Sequence, residues 1–212
     1  MSVFGYDNKV MGIFSKVMDT VILGVLWLIC SVPVITVGAS SAAFYYAYNK
    51  CVRQERGYAW KTFFSGFRSN FKQATLLWMA FLVLLVVTFL DYQILNTYSE
   101  VFPIAKVLMG CMIAAFVYAS MWGLYVFAYI SRFEVDTKGI VRTTALMVLQ
   151  NILWMVLLLI IFVMLAVGVF LLPVAGVVVP AIYMVAANWI LERVFKKYMT
   201  AQDIAKEAAY TA

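Results

Sequence analysis

The stretch TTALMVLQNILWMVLLLIIFVMLAVGVFLLPVAGVVVPAIYMVAANWIL, Thr143–Leu191, contains no charged side chain over about 50 residues. A helix crossing the ~30 Å hydrocarbon core needs about 20 apolar residues, so this run holds two spans and a tight turn. Pro173 and Gly176 are the turn residues: proline interrupts a helix and glycine relaxes the backbone. The spans predicted here are 150–172 and 174–195. Working outward, the uncharged runs Gln73–Leu90 and Val107–Ser131 place two more, at 75–95 and 104–130.

The remaining chain agrees with that reading. Of its 212 residues, 66% are hydrophobic and 12% charged, against about 45–50% and about 25% in soluble domains. One soluble core cannot hide that much apolar surface; lipid can. Nothing resembling a polar linker divides the chain, so residues 1–212 read as one integral membrane domain. The fold class is all-α: a polytopic transmembrane helical bundle with four spanning helices, an N-terminal span or hairpin, and an amphipathic interfacial helix.

The N-terminal region, 17–53, admits two readings. Thr20–Asn49 is uncharged, with Pro33 and Gly38 near its middle. As one helix it would measure roughly 45 Å, too long for one span and too short for two with a loop. It is either one span followed by an interfacial helix or a short hairpin bending at Pro33–Gly38. Basic residues favour the hairpin. Lys50, Arg53, Arg56, Lys61, Arg68 and Lys72 form one segment, Arg132, Lys138 and Arg142 a second, and Arg193, Lys196, Lys197 and Lys206 a third. By the positive-inside rule all three are cytoplasmic. With a hairpin, Lys9 and Lys16 join them and only Lys106 of the 16 basic residues lies outside. Both termini are then cytoplasmic and the loop 96–103 external. The repeated Leu-Trp pairs at Trp27, Trp78 and Trp154, each early in an outward-running span, support this arrangement. A cleaved secretory leader is the rival reading of the N-terminus, but Asp19 at the head of its apolar core opposes it.

Composition also narrows the chemistry. Without histidine there are no His-based metal sites, triads or neutral-pH switches. Cys30, Cys51 and Cys111 have no CxxC spacing and read as small apolar fillers. Paired carboxylates, phosphate loops and Ser-Lys pairs are lacking, so neither an enzyme, a metal nor a cofactor is expected. The net charge of +6 sits at the ends of apolar runs, where it marks topology and anionic lipid and not nucleic acid.

Three segments are candidates for function. In 60–74, Trp60, Phe63, Phe64, Phe67 and Phe71 recur at helical spacing, with Lys61, Ser65, Arg68 and Lys72 on the other face. This predicts an interfacial helix with its aromatics in lipid, and Lys61, Arg68 and Lys72 form a candidate docking surface for a partner. Its placement resembles the coupling helices of permeases that receive an ATPase, without their Glu-Ala-Ala motif. Of ionisable residues within spans, Asp19 and Asp91 stand out; Lys16 is the expected partner of Asp19, while Asp91 with Asn96 is a candidate for handling substrate or protons. The break at Pro33–Gly38 precedes Tyr45 and Tyr46, whose rings suit sugar stacking, in the manner of interrupted transporter helices. Asn151 and Asn188 read as amides that pack between helices.

The run Leu26-Trp27-Leu28-Ile29-Cys30-Ser31-Val32-Pro33-Val34-Ile35-Thr36-Val37-Gly38-Ala39, with Phe63-Phe64-Ser65-Gly66-Phe67 and Asn70-Phe71-Lys72-Gln73-Ala74, resembles the YesL-like membrane proteins, the family catalogued as domain of unknown function 624. The resemblance implies a Gram-positive plasma-membrane protein whose genes neighbour those of sugar-uptake permeases and glycoside-degrading enzymes. It supplies no catalytic residues. The expectation is an accessory or assembly component of carbohydrate uptake, with the bilayer and sugar-transporter components as partners; the alternative is a small-solute transporter or channel. Substrate and oligomeric state are not legible.

Overall fold

The computed structural model describes residues 3–98, 102–133, 136–171 and 178–199, with the side chains of 3–10 and of Pro103 left aside. The turn at 173–176, Lys206 and residues 99–101 of the expected external loop 96–103 lie outside the described residues; Asn96, Thr97 and Tyr98 of that loop are instead the last residues of the third helix. Seven α-helices make up the described chain: α1 (Val3–Ser31), α2 (Val37–Ala47), α3 (Ala59–Tyr98), α4 (Pro103–Arg132), α5 (Thr137–Gln150), α6 (Ile152–Leu171) and α7 (Val179–Tyr198).

The N-terminal region is a hairpin. Val32 precedes Pro33, and a residue before proline is pushed out of the α conformation, so α1 stops at Ser31. A 3₁₀ turn, Val34–Thr36, reverses the chain. The Thr36 hydroxyl lies 2.5 Å from the Cys30 carbonyl and 2.7 Å from that of Pro33, covering acceptors that the helix end leaves open. α2 then packs back along α1, where Trp27 Nε1 donates to Ser41 Oγ at 3.1 Å. α2 is not an interfacial helix: Gly38–Tyr45 and Ala47 are buried. A π-helical turn, Tyr48–Arg53, extends it. Its end is sealed by the Arg56 N–H on the Lys50 carbonyl, with Glu55 in the left-handed region at φ 56°. Lys16 pairs with Glu55 at 2.7 Å, not with Asp19, and holds the Glu55 carboxyl below its usual range. That correction has a simple cause: folding α2 back brings the loop to Lys16.

α3 is a single helix of 40 residues. The segment 60–74, expected as a separate helix, runs into the span 75–95 without a break. Its aromatic face is not turned wholly to lipid either. Phe63 is fully buried and Phe67 partly so, both against α2 and its surroundings, whereas Trp60, Phe64 and Phe71 are exposed beside Lys61, Arg68 and Lys72. Two glycines permit the α2–α3 contact. A Cβ at Gly38 would sit 2.6 Å from Trp78 Cβ and 2.8 Å from the Ala74 carbonyl, and one at Gly66 would sit 2.7 Å from the Tyr46 ring.

Among the described residues, four helices are long and apolar enough to cross a membrane: Met11–Ser31, Ala59–Tyr98, Ile104–Arg132 and Ile152–Leu171. The spans at 75–95, 104–130 and 150–172 fall on three of these, and α1 supplies the fourth. α7, in the region of the expected 174–195 span, falls short of that apolarity because it carries Glu192, Arg193, Lys196 and Lys197. Large apolar side chains face outward along all four, for example Val83, Val86, Ile104, Leu153 and Phe170. Such a surface suits hydrocarbon, with the backbone groups between the helix ends paired internally.

Candidate functional site: a buried carboxylate and a basic helix face

Glu192 on α7 is the charge most removed from solvent among the described residues, at 2% exposure. Its Oε1 accepts from Arg132 Nη1 of α4 at 2.7 Å, Tyr45 Oη of α2 at 3.0 Å and Asn49 Nδ2 of the π turn at 3.2 Å. Arg53 Nη1 lies 3.0 Å from Oε2, in ion-pair contact without the alignment of a hydrogen bond. Arg53 is aligned instead with Asn49 Oδ1, at 3.1 Å. Tyr45, Asn49 and Arg53 are four residues apart, so one side of α2 and its π extension delivers all three to one carboxylate. π turns recur at functional sites, where they redirect side chains. Phe195, fully buried, closes the cluster, ringed edge-on by Tyr45, Tyr125 and Tyr129.

A buried carboxylate between two guanidiniums is costly to break, because removing one partner leaves an uncompensated buried charge. This one joins α2, α4 and α7. Asn188, one turn before Glu192, is also buried, and neither of its amide atoms has a hydrogen-bond partner among the described residues.

The sequence candidates end up apart. Tyr45 belongs to the Glu192 cluster. Tyr46, its neighbour, turns the other way: its ring fills the Gly66 notch, and its hydroxyl takes a 3.4 Å bond from Lys50. Asp91 is half-buried and Asn96 exposed, both far along α3. From Ala74, which touches Gly38 at the start of α2, Asp91 is roughly 25 Å further along the helix at 1.5 Å per residue. The structure therefore forms no joint site from Asp91, Asn96 and the two tyrosines. Asn151 stands at the α5–α6 break, bonded to the Met147 carbonyl and Tyr198, not inside a span.

The second feature is the outer face of the first half of α3. An open recess along it is lined by Trp60, Lys61, Phe64, Ser65, Arg68 and Ser69. Lys61 lies over the rings of Tyr58 and Trp60, 5.4 Å from each centroid. Acidic residues are missing from Ala59 to Leu90.

Four apolar helices with outward-facing apolar side chains define a multi-pass helical membrane protein. Residues 20–92 match the model of the family described as protein of unknown function, DUF624, the family that the sequence resemblance named. The matched stretch contains the last part of α1, the bend, all of α2 and most of α3, and so both Tyr45 and the basic face. Neither the curated proteins nor the solved structures give a match to the chain.

Proposed function

We propose that this chain is an accessory or assembly component of a bacterial plasma membrane, associated with carbohydrate uptake, and that it receives a partner on the outer face of α3. The exposed aromatic-cationic surface of 60–72 supports this reading most directly. Trp60 is 53% exposed and Phe64 41%, beside Lys61, Arg68 and Lys72, although inward positions on the same helix were available to Phe63 and Phe67. Aromatic and arginine side chains that the fold leaves outside are the usual anchors of an interface. The sugar-uptake context rests on the family resemblance.

Recovery of bound proteins from native membranes, combined with sugar-uptake rates in a deletion strain, tests the proposal. Arg68→Glu/Lys72→Glu is expected to insert at normal abundance and to lose most of the recovered partner, with uptake falling to the level of the deletion. Unchanged recovery and uptake would reduce the face to a lipid anchor.

A second reading has its own observation. The Glu192 cluster places an ionisable group, two arginines and Tyr45 inside a helical bundle, the kind of group that marks ion and substrate paths in transporters. If the chain transports a small solute itself, reconstituted protein alone moves it across vesicles and Glu192→Gln abolishes the flux.

A further inference from the structure

We propose that the partner surface on α3 recognises an acidic, amphipathic helical segment of another protein, an inference that rests on the accessory reading above. Three observations select this occupant. First is charge. Lys61, Arg68 and Lys72 project from one exposed face of a stretch with no acidic residue between Ala59 and Leu90. Lys61 is drawn towards aromatic rings and not towards a carboxylate. Carboxylates brought by a partner would complete the set.

Second is the apolar content. Trp60 and Phe64 are four residues apart, one helical turn, and flank the recess together with Ser65 and Ser69. Purely ionic attraction does not need two exposed rings. A binder with apolar side chains at helical spacing fills the space between them, as ridges of one helix enter grooves of another. Third is the backbone. A helix surface offers no unpaired N–H or C=O, so an extended peptide would leave its own main chain without partners here. A helix arrives with those groups already paired.

The test uses the full chain in nanodiscs of zwitterionic lipid and a labelled probe: a 16-residue helical peptide of Ala, Glu and Leu with leucines on one side and glutamates flanking them. Binding is read by the anisotropy of the labelled peptide. A saturable complex is expected. Arg68→Glu/Lys72→Glu weakens it at least tenfold, Phe64→Ala about tenfold, and Lys138→Glu/Arg142→Glu on α5 leaves it unchanged. A peptide of the same composition with its leucines scattered binds at least tenfold more weakly.

Equal loss with the α5 variant, or equal binding of the scattered peptide, would show non-specific ionic attraction and overturn the proposal. In nanodiscs of anionic lipid, loss of binding both for this probe and for the same leucine-patterned peptide with glutamines in place of glutamates would assign the face to headgroups and overturn the proposal as well. If the probe fails while the α3 variant still loses its partner from native membranes, the helical-segment idea falls and the accessory reading stands. If both fail, both fall.

Discussion

At Glu192, one oxygen collects three donors while the other faces Arg53 out of line. The two arginines therefore differ in what they contribute. Arg132 is 14% exposed and its bond is the shortest of the set, whereas Arg53 is 37% exposed and shares its guanidinium with Asn49. Removing one partner of a buried pair costs roughly 3–5 kcal/mol, while a partly solvated pair contributes about 1 kcal/mol or less. Glu192→Ala and Arg132→Ala should thus lower the apparent melting temperature in detergent sharply, and Arg53→Ala only slightly. Equally small effects from the two arginines would show that the cluster is solvated throughout, and equally large ones that Arg53 is as buried a partner as Arg132. The cluster was hidden in the sequence. Glu192 closes a long uncharged run, where a charge reads as the edge of a membrane span. Its ligands Tyr45 and Asn49 are 147 and 143 residues away, and Arg132 is 60. The available signal was an acid at the junction of the uncharged run and the basic cluster Arg193, Lys196 and Lys197, together with Tyr45, Asn49 and Arg53 at helical spacing.

Among the elements, α2 joins the two candidate features. Tyr45 turns to Glu192 and Tyr46 to Gly66 of α3, so consecutive residues touch the ion cluster and the inner side of the basic helix. The Gly38 contact fixes the top of α2 against Trp78 and Phe127. Gly38→Ala would force a methyl into backbone and ring atoms, and overpacking of that kind costs roughly 1–3 kcal/mol. Gly110→Ala is a matched control, because nothing lies within 4 Å of its added Cβ. The first variant is expected to lose yield and melting temperature after purification, and the second to match the parent; equal behaviour would mean that α2 does not pack as described. The hairpin bend was legible, because Pro33 and Gly38 act locally on the backbone. The union of 60–74 with 75–95 was not. A change from amphipathic to uniformly apolar pattern suggested a boundary there, yet Asn70-Phe71-Lys72-Gln73-Ala74-Thr75 contains no proline or glycine to end a helix. Helical spacing alone places all five aromatics on the lipid side, because it does not reveal that α2 covers Phe63 and Phe67.

For the whole molecule, the length of α3 sets a constraint. Forty residues make about 60 Å of helix, twice the ~30 Å hydrocarbon core, so only part of it can stand in lipid. Its second half has outward side chains such as Val83, Val86 and Phe89, all more than half exposed. Its first half presents Lys61, Arg68 and Lys72, and each cation held at mid-bilayer would cost about 2.5–3.5 kcal/mol. The second half is therefore the part in lipid. α1, however, lies beside the first half: Lys16 meets Glu55 just before α3 begins, and Val34 at the hairpin bend accepts from Trp78 Nε1 at 2.6 Å. α1 also has an apolar outer face, with Ile13, Val17, Val21, Val25 and Ile29 exposed. Leaving that face in water would cost about 1.5–3 kcal/mol per large side chain. Both demands are met if the layer made by α1, α2 and the start of α3 turns its α1 side to lipid and its basic side to the cytoplasm. Long helices curve enough to permit this. Single cysteines at Val25, Ser65, Thr88 and Thr97, in a chain with Cys30, Cys51 and Cys111 replaced by serine, read the arrangement directly. Val25→Cys and Thr88→Cys should resist every aqueous thiol reagent. Ser65→Cys should react only with reagents that enter the cell, and Thr97→Cys with an impermeant one from outside. If Ser65→Cys is as protected as Val25→Cys, the first half of α3 stands in lipid and the basic face is no docking surface. If Val25→Cys reacts as readily as Ser65→Cys, α1 lies outside the hydrocarbon and its apolar face must be covered by protein.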